Sequence, residues 1–219
     1  MRPLEVRAHI RGALCMPDRP VMLDALLAYA VAMRDGVQPA LTRREVVPIE
    51  IPVARSECGR FHLASAGHCA IDETELRWLN RRFPTTEAQV MAGPKLRRIN
   101  ITAGLTKSYR IPLATFHAVD DVVTWWCVGE RAEVESLLGL VSYVGKKRAV
   151  GLGAVRQWEV AEVAPWLGFP VLRDGMPLRP LPDDVSGVSA DADRGMSCIT
   201  YPYWRRHEEQ PCFVPLTMC

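Results

Sequence analysis

The chain reads as strand, helix, strand near its start and again near its end, with a long stretch of weak periodicity between. Over residues 4–10, Leu4, Val6, Ala8 and Ile10 alternate with Glu5, Arg7 and His9, the period-two pattern of a half-buried strand. Asp18 and Pro20 then supply a helix start, and Leu23, Leu26, Leu27 and Ala30 recur at helical spacing until Arg34 and Gly36 end it. Residues 46–53 are β-branched but interrupted by Pro48 and Pro52, which suits an edge or bulged second strand.

Residues 58–117 show only short strand-like pieces, near 61–64, 98–102 and 109–113. Order returns at residues 122–128, where Val123, Trp125 and Cys127 alternate with Val122, Thr124 and Trp126 in a central strand. A helix over residues 131–143 follows, with Val134, Leu137, Leu138 and Val141 on one face and Gly145 at its end. Residues 154–163 give the last strand. The resulting order, β-α-β, insertion, β-α-β, predicts an α+β fold: a ferredoxin-like (RRM-like) split βαβ with two helices on one face of an antiparallel sheet. That domain spans residues 1–163, and its insertion, about 58–117, forms a thumb-like arm. Residues 164–219 are rich in proline and carry Asp183, Asp184, Asp191 and Asp193. They predict an irregular extension without a second core, packing on the domain or on a neighbouring subunit.

With 219 residues, 48% of them hydrophobic, the chain can bury a real core. Its longest apolar run, Ala25 to Met33, falls short of the roughly 20 residues that span a bilayer, and Glu5, Arg7 and Arg11 interrupt the start where a signal peptide is apolar. A cytoplasmic protein with no membrane partner is expected. Seven cysteines without a CxxC pair suggest reduced thiols. A net charge of +2 says little about partners unless the basic residues cluster.

They cluster twice. The loop Gly145-Lys146-Lys147-Arg148-Ala149-Val150-Gly151-Leu152-Gly153 joins a helix to a strand. Its glycines let backbone approach a phosphate, and its three adjacent cations attract one; an ordinary helix cap and turn is the competing reading. A Walker loop requires Gly-Lys followed by Ser or Thr and leads into a helix, and a Rossmann fingerprint requires a glycine where Arg156 stands, so ATP and NAD are excluded and no cofactor is expected. The second cluster lies at residues 77–110, where Arg77, Arg81, Arg82, Lys95, Arg97, Arg98, Lys107 and Arg110 face a single acid, Glu87. Interleaved Trp78, Phe83 and Tyr109 are candidates to stack on unpaired bases, Tyr109 before the other two.

A GxxxxxGxG loop between the last helix and last strand of such a fold resembles the glycine-rich loop of the RAMP superfamily of CRISPR-associated proteins, with Gly145, Gly151 and Gly153 at the matching positions. The chain's size, its first helix, the segment from Pro48 to Val53 and the long insertion resemble the small Cas-five-like subunit of type IV systems. The resemblance covers about residues 4–163. It implies a non-catalytic subunit of an effector ribonucleoprotein that binds the 5′ handle of a guide RNA and caps the backbone filament. The implied partners are guide RNA, Cas-seven-like backbone subunits and a large subunit, with target DNA a further candidate. The RNA-binding residues expected are Gly145, Lys146, Lys147, Arg148, Gly151, Gly153, Lys95, Arg97, Arg98, Lys107, Tyr109 and Arg110.

Three rivals stand beside this reading. A metal-independent repeat endoribonuclease would use His117 with Tyr109 or Lys107, but a lone histidine between Phe116 and Ala118 is more often packed or superficial. A zinc module would use Cys58, His62, His68 and Cys69, whose spacing matches no common zinc pattern; no metal is expected. A protein-interaction subunit without RNA contact would use the tail aromatics Tyr201, Tyr203, Trp204 and Phe213.

Overall fold

The computed structural model describes residues 1–15, 20–37, 48–92, 100–103 and 106–215. Strand β1 (Arg2–Arg11) lies between β4 (Val122–Gly129) and β5 (Ala154–Glu162), antiparallel to both. In register, Val6 sits between Trp125 and Val160, and Ala8 between Val123 and Trp158. Alternation therefore brings Leu4, Val6, Ala8, Ile10, Val123, Trp125 and Cys127 to one face, where all are buried. Two helices cover that face. Helix α1 (Leu23–Arg34) contributes Leu23, Leu27 and Ala30, and α3 (Arg131–Leu138) contributes Val134, Leu137 and Leu138. Each buried Leu or Val stabilises the layer pair by about 1.5–3 kcal/mol. The chain is thus a mixed α/β protein with mostly antiparallel strands.

Two elements differ from the sequence expectation. Val46 and Val47 of the expected second strand, like Asp18 of the expected helix start, lie outside the described residues. Residues 48–53 form no regular strand: Val53 makes an isolated bridge to Gly129, and Ala64 and His68 continue the row against Cys127 and Thr124. Pro48 and Pro52 have no amide hydrogen to donate, so pairing beside β4 is broken into single bridges. The last helix ends at Leu138, not Tyr143. Gly139 is its C-cap, and turn hydrogen bonds at Leu140 and Val141 redirect the chain so that Tyr143 can pair with Ala154. Val141 and Val144 still enter the core, which is why their spacing mimics a longer helix.

The insertion forms a ribbon. Strand β2 (Ile71–Arg81) pairs with β3 (Tyr109–Ala118), and helix α2 (Thr85–Ala92) follows β2. Strand β2 is exposed along almost its whole length, so the ribbon projects from the body. Residues 58–70, expected within the arm, instead serve the body: Phe61, Ala64, Ala66 and Cys69 are buried. Of the expected strand piece at 98–102, Arg98 lies outside the described residues, and Ile101 and Thr102 form a bend.

The C-terminal extension also departs from expectation, because it builds a small core. Short strands β6 (Leu172–Arg173) and β7 (Met176–Pro177) form a hairpin, and β10 (Gln210–Phe213) lies between β8 (Leu181–Pro182) and β9 (Arg194–Ser197). Val171, Leu172, Leu181, Ala192 and Phe213 pack with Phe61 of the body. On the helix-free face of the main sheet, the Arg173 guanidinium lies between the rings of Trp126 and Trp166, 4.7 and 4.3 Å from their centres.

Arg179 fastens this extension and is fully buried. It donates to the carbonyls of His62 and Ala64, to the Ile199 carbonyl at 2.7 Å, to the Tyr203 hydroxyl at 2.8 Å and to Asp24 of α1 at 3.4 Å. The Tyr203 hydroxyl donates in turn to Asp24 at 2.8 Å. Burial pushes that hydroxyl well above its ordinary pKa of 10, so it remains a donor. Among the cysteines, Cys15, Cys58, Cys127, Cys198 and Cys212 are free, whereas Cys69 is disulfide-bonded, which corrects the expectation of reduced thiols at that position. Among the described residues no helix is long and apolar enough to cross a membrane.

Removing one partner of a buried ion pair strands the other charge. Arg179→Met is expected to lower the unfolding free energy by about 3–5 kcal/mol. Adding Asp24→Asn should cost less than the sum of the two single changes. Urea unfolding of the three variants measures both.

Candidate nucleic-acid interface

The glycine-rich loop is a closed and anchored structure. Its neck is tied by the Tyr143–Ala154 bridge, by Val144 N–H donating to the Gly153 carbonyl at 2.8 Å, and by Val155 N–H donating to the Ser142 carbonyl at 2.9 Å. Its two arms are then stitched to the segment after β1. The Lys146 amide donates to the Cys15 carbonyl at 2.6 Å, and the Gly153 amide to the Ala13 carbonyl at 3.0 Å. Leu152 is buried beside Ala13, Cys15 and Leu113. An ordinary flexible turn would have none of these anchors.

Gly153 is demanded by geometry. Its φ is +69°, and a Cβ there would lie 1.8 Å from the Val144 carbonyl oxygen. Gly151 has φ +85° but open space around it, so only its backbone conformation favours glycine. Lys147 also adopts a left-handed conformation, at φ +64°. Between Lys147 and Gly151 runs one short 3-10 turn, Arg148–Val150.

Residues 146–151 are all exposed, so the loop carries its basic triplet on its tip. Arg148 is turned back toward α1, donating to the Tyr29 hydroxyl at 3.1 Å with its guanidinium 5.6 Å from the ring centre. Tyr29 thus joins the site, although nothing in the helix pattern marked it.

The arm meets the loop through Leu152, since Leu79 of β2 and Leu113 of β3 belong to the same small apolar cluster. Cross-strand pairing sets Arg81 opposite Tyr109 and Leu79 opposite Ile111. Residues two apart share a side of a strand, so Arg81 and Tyr109 continue the ribbon face that touches the loop, roughly 13 Å beyond Leu113. The Arg81 guanidinium lies 6.0 Å from the Tyr109 ring centre. Arg110 pairs with Asn80 and faces the other way, stacked 4.2 Å over the Trp78 ring. Through Leu152 the loop that carries Lys146, Lys147 and Arg148 thus adjoins the ribbon face of Tyr109 and Arg81, while Arg110 and Trp78 lie on the opposite face of the ribbon. Trp78 is 48% exposed, so it is not a core aromatic. Arg77 is tied to Glu75 at 2.7 Å. Lys107 precedes β3 and is exposed, whereas Lys95, Arg97 and Arg98 lie outside the described residues.

The rival sites do not assemble. His117 is eight residues from Tyr109 on the same strand, about 27 Å away, and pairs with Glu73. Cys58 is exposed in a turn, where the Arg60 guanidinium and the Ser56 hydroxyl bring its thiol down to about 7. His62 is buried 3.8 Å from Asp24, and His68 packs against Trp126 with its Nε2 3.4 Å from the Leu178 carbonyl. Burial lowers the pKa of both, which favours the neutral ring. Among the described residues no three His, Cys, Asp or Glu side chains group to hold a metal.

None of the curated proteins matches the chain. The family described as CRISPR type IV associated protein Csf3 matches residues 69–215, two thirds of the 219 residues. The match takes in the arm, β4, α3, the loop and all of the described extension, and leaves β1 and α1 outside. The chain belongs to this family, which agrees with the Cas-five-like resemblance of its sequence.

The two glycines should respond differently to substitution. Gly151→Ala is expected to cost about 1–2 kcal/mol for its left-handed backbone. Gly153→Ala should cost about 3 kcal/mol or more, because its methyl group also strikes a carbonyl held at the loop's neck. Chemical denaturation of the pair measures the gap.

Proposed function

We propose that this type IV CRISPR-associated chain is a non-catalytic RNA-binding subunit of an effector ribonucleoprotein. In this reading it holds the 5′ handle of the guide RNA and caps the backbone filament from the cytoplasm. Its partners would be the guide RNA, Cas-seven-like backbone subunits and the large subunit, with target DNA as a further candidate.

The observation that carries the reading is the seating of Leu152 between Ala13 and Cys15 of the body and Leu113 of the arm. It sets an exposed basic loop beside a basic, aromatic ribbon face, the combination that tracks a single strand by phosphate attraction and base stacking. A ferredoxin-like reading of the fold is supported by the order β5-β1-β4, with residues 53–68 bridging the far side of β4 and both helices on one face. The 27 Å or so between His117 and Tyr109 favours binding over cleavage, because a general acid and base must both reach the same bond. The opposite ribbon face, with exposed Leu76 and Trp78, suits a neighbouring subunit.

The test is salt-dependent binding of single-stranded RNA to the full chain. Lys146→Ala with Lys147→Ala should weaken binding and flatten the log–log salt slope by about 1.4, roughly 0.7 for each phosphate released. Arg148→Ala should do less, since Arg148 is already engaged by Tyr29. A double variant with unchanged affinity and slope would contradict the role given to the loop.

A further inference from the structure

Strand β5 carries a bulge at the foot of the loop. His9 pairs with Gln157 and Ile10 with Val155, so Arg156 has no residue opposite it on β1. An extra residue of this kind breaks the alternation of the strand and re-aims its side chain. Here it joins Arg11, whose partner is Ala154, and Tyr143, which bridges to Ala154 from the other side. These three residues, with Ser142 and Val155, line an open pocket of about 470 Å³ next to the basic loop.

The charges around this pocket are distributed unevenly. Further along β1, Arg2 is paired with Glu162 at 2.8 Å and Arg7 with Glu5 at 2.6 Å. Arg11 and Arg156 are different: among the described residues neither has an acidic partner, and no acid lines the pocket. Two arginines, a serine and a tyrosine that is 41% exposed therefore line one concave site. Guanidinium forks match phosphate oxygens, and an exposed tyrosine ring matches a base. The volume falls within the range of pockets that hold small ligands.

We infer that this pocket holds one further nucleotide of the RNA strand, its phosphate on Arg11 and Arg156 and its base on Tyr143. The inference rests on the RNA-binding reading of the loop, but assigns contacts to side chains that belong to neither the loop nor the arm. It extends the path of the strand from the loop onto the end of the main sheet.

The experiment is again RNA binding by the full chain across a salt series. Arg11→Ala with Arg156→Ala should weaken binding and flatten the slope by about 0.7, the value for a single phosphate. Tyr143→Ala should weaken binding about fivefold or more with the slope unchanged, and Tyr143→Phe should restore it. All three positions are exposed, and a far-ultraviolet spectrum and unfolding curve matching the unaltered chain check each variant's fold. If the arginine pair binds RNA with unaltered affinity and slope while the Lys146/Lys147 pair does not, the pocket assignment fails and the loop reading stands. If calorimetry shows that the arginine variant loses binding of adenosine monophosphate but keeps the RNA slope, the pocket serves a free nucleotide and the inference is overturned. No RNA binding by the unaltered chain would overturn both.

Discussion

Four residues that follow β1 hold the interface together. Gly12 turns left-handed, at φ +78°, and takes the chain out of the central strand. The Ala13 and Cys15 carbonyls then accept the two amides that pin the glycine-rich loop, while Leu14 exchanges a reciprocal pair of backbone hydrogen bonds with Phe116 at the base of the arm. Leu14 is also fully buried in the main core. One short segment therefore fixes the loop, the arm and the sheet relative to each other, through bonds that are each modest but meet at one junction. Backbone hydrogen bonds at the neck and at residues 13 and 15 hold the loop whose basic residues are exposed.

A second anchor works at the opposite end of the chain. Arg179 collects carbonyls from residues 62, 64 and 199 and meets Asp24, buried like itself, and the half-buried Tyr203. A buried charge is costly unless it is paired and hydrogen-bonded, and the acceptors gathered around the two terminal nitrogens of Arg179, whose Nε has no partner among the described residues, select one position for the extension against α1. Tyr203 and Phe213 are consumed in this docking, whereas Trp204 remains 56% exposed and packs edge-on against Tyr201. The extension is thus part of the same body as the site, and it leaves an aromatic pair outside for other contacts.

Much of the framework is legible in the sequence. The alternation in β1 and β4 is clean because one face of each is buried, and a slip of one residue would expose the whole apolar set. The loop is legible for a similar reason: Gly153 stands where no Cβ fits. What the sequence conceals is governed by backbone geometry or by distant partners. Ala13 and Cys15 act through carbonyls, so nothing in their side chains signals the junction. Arg156 matters because of a shift in pairing register, which depends on β1 as well as β5. Arg179 sits in a proline-rich stretch that reads as surface, and its acceptors lie far away in sequence. Val141 misleads in the opposite sense, since it is buried at helical spacing although the helix has already ended at Leu138.

The proposed RNA path runs over loop and arm together, on the framework fastened by residues 12–15. Photocrosslinking of the assembled effector complex, with the crosslinked peptides identified by mass spectrometry, tests it most directly. Guide-RNA crosslinks are expected on peptides from both residues 143–156 and residues 107–113. Crosslinks confined to the extension around Trp204, with none on either segment, would contradict it.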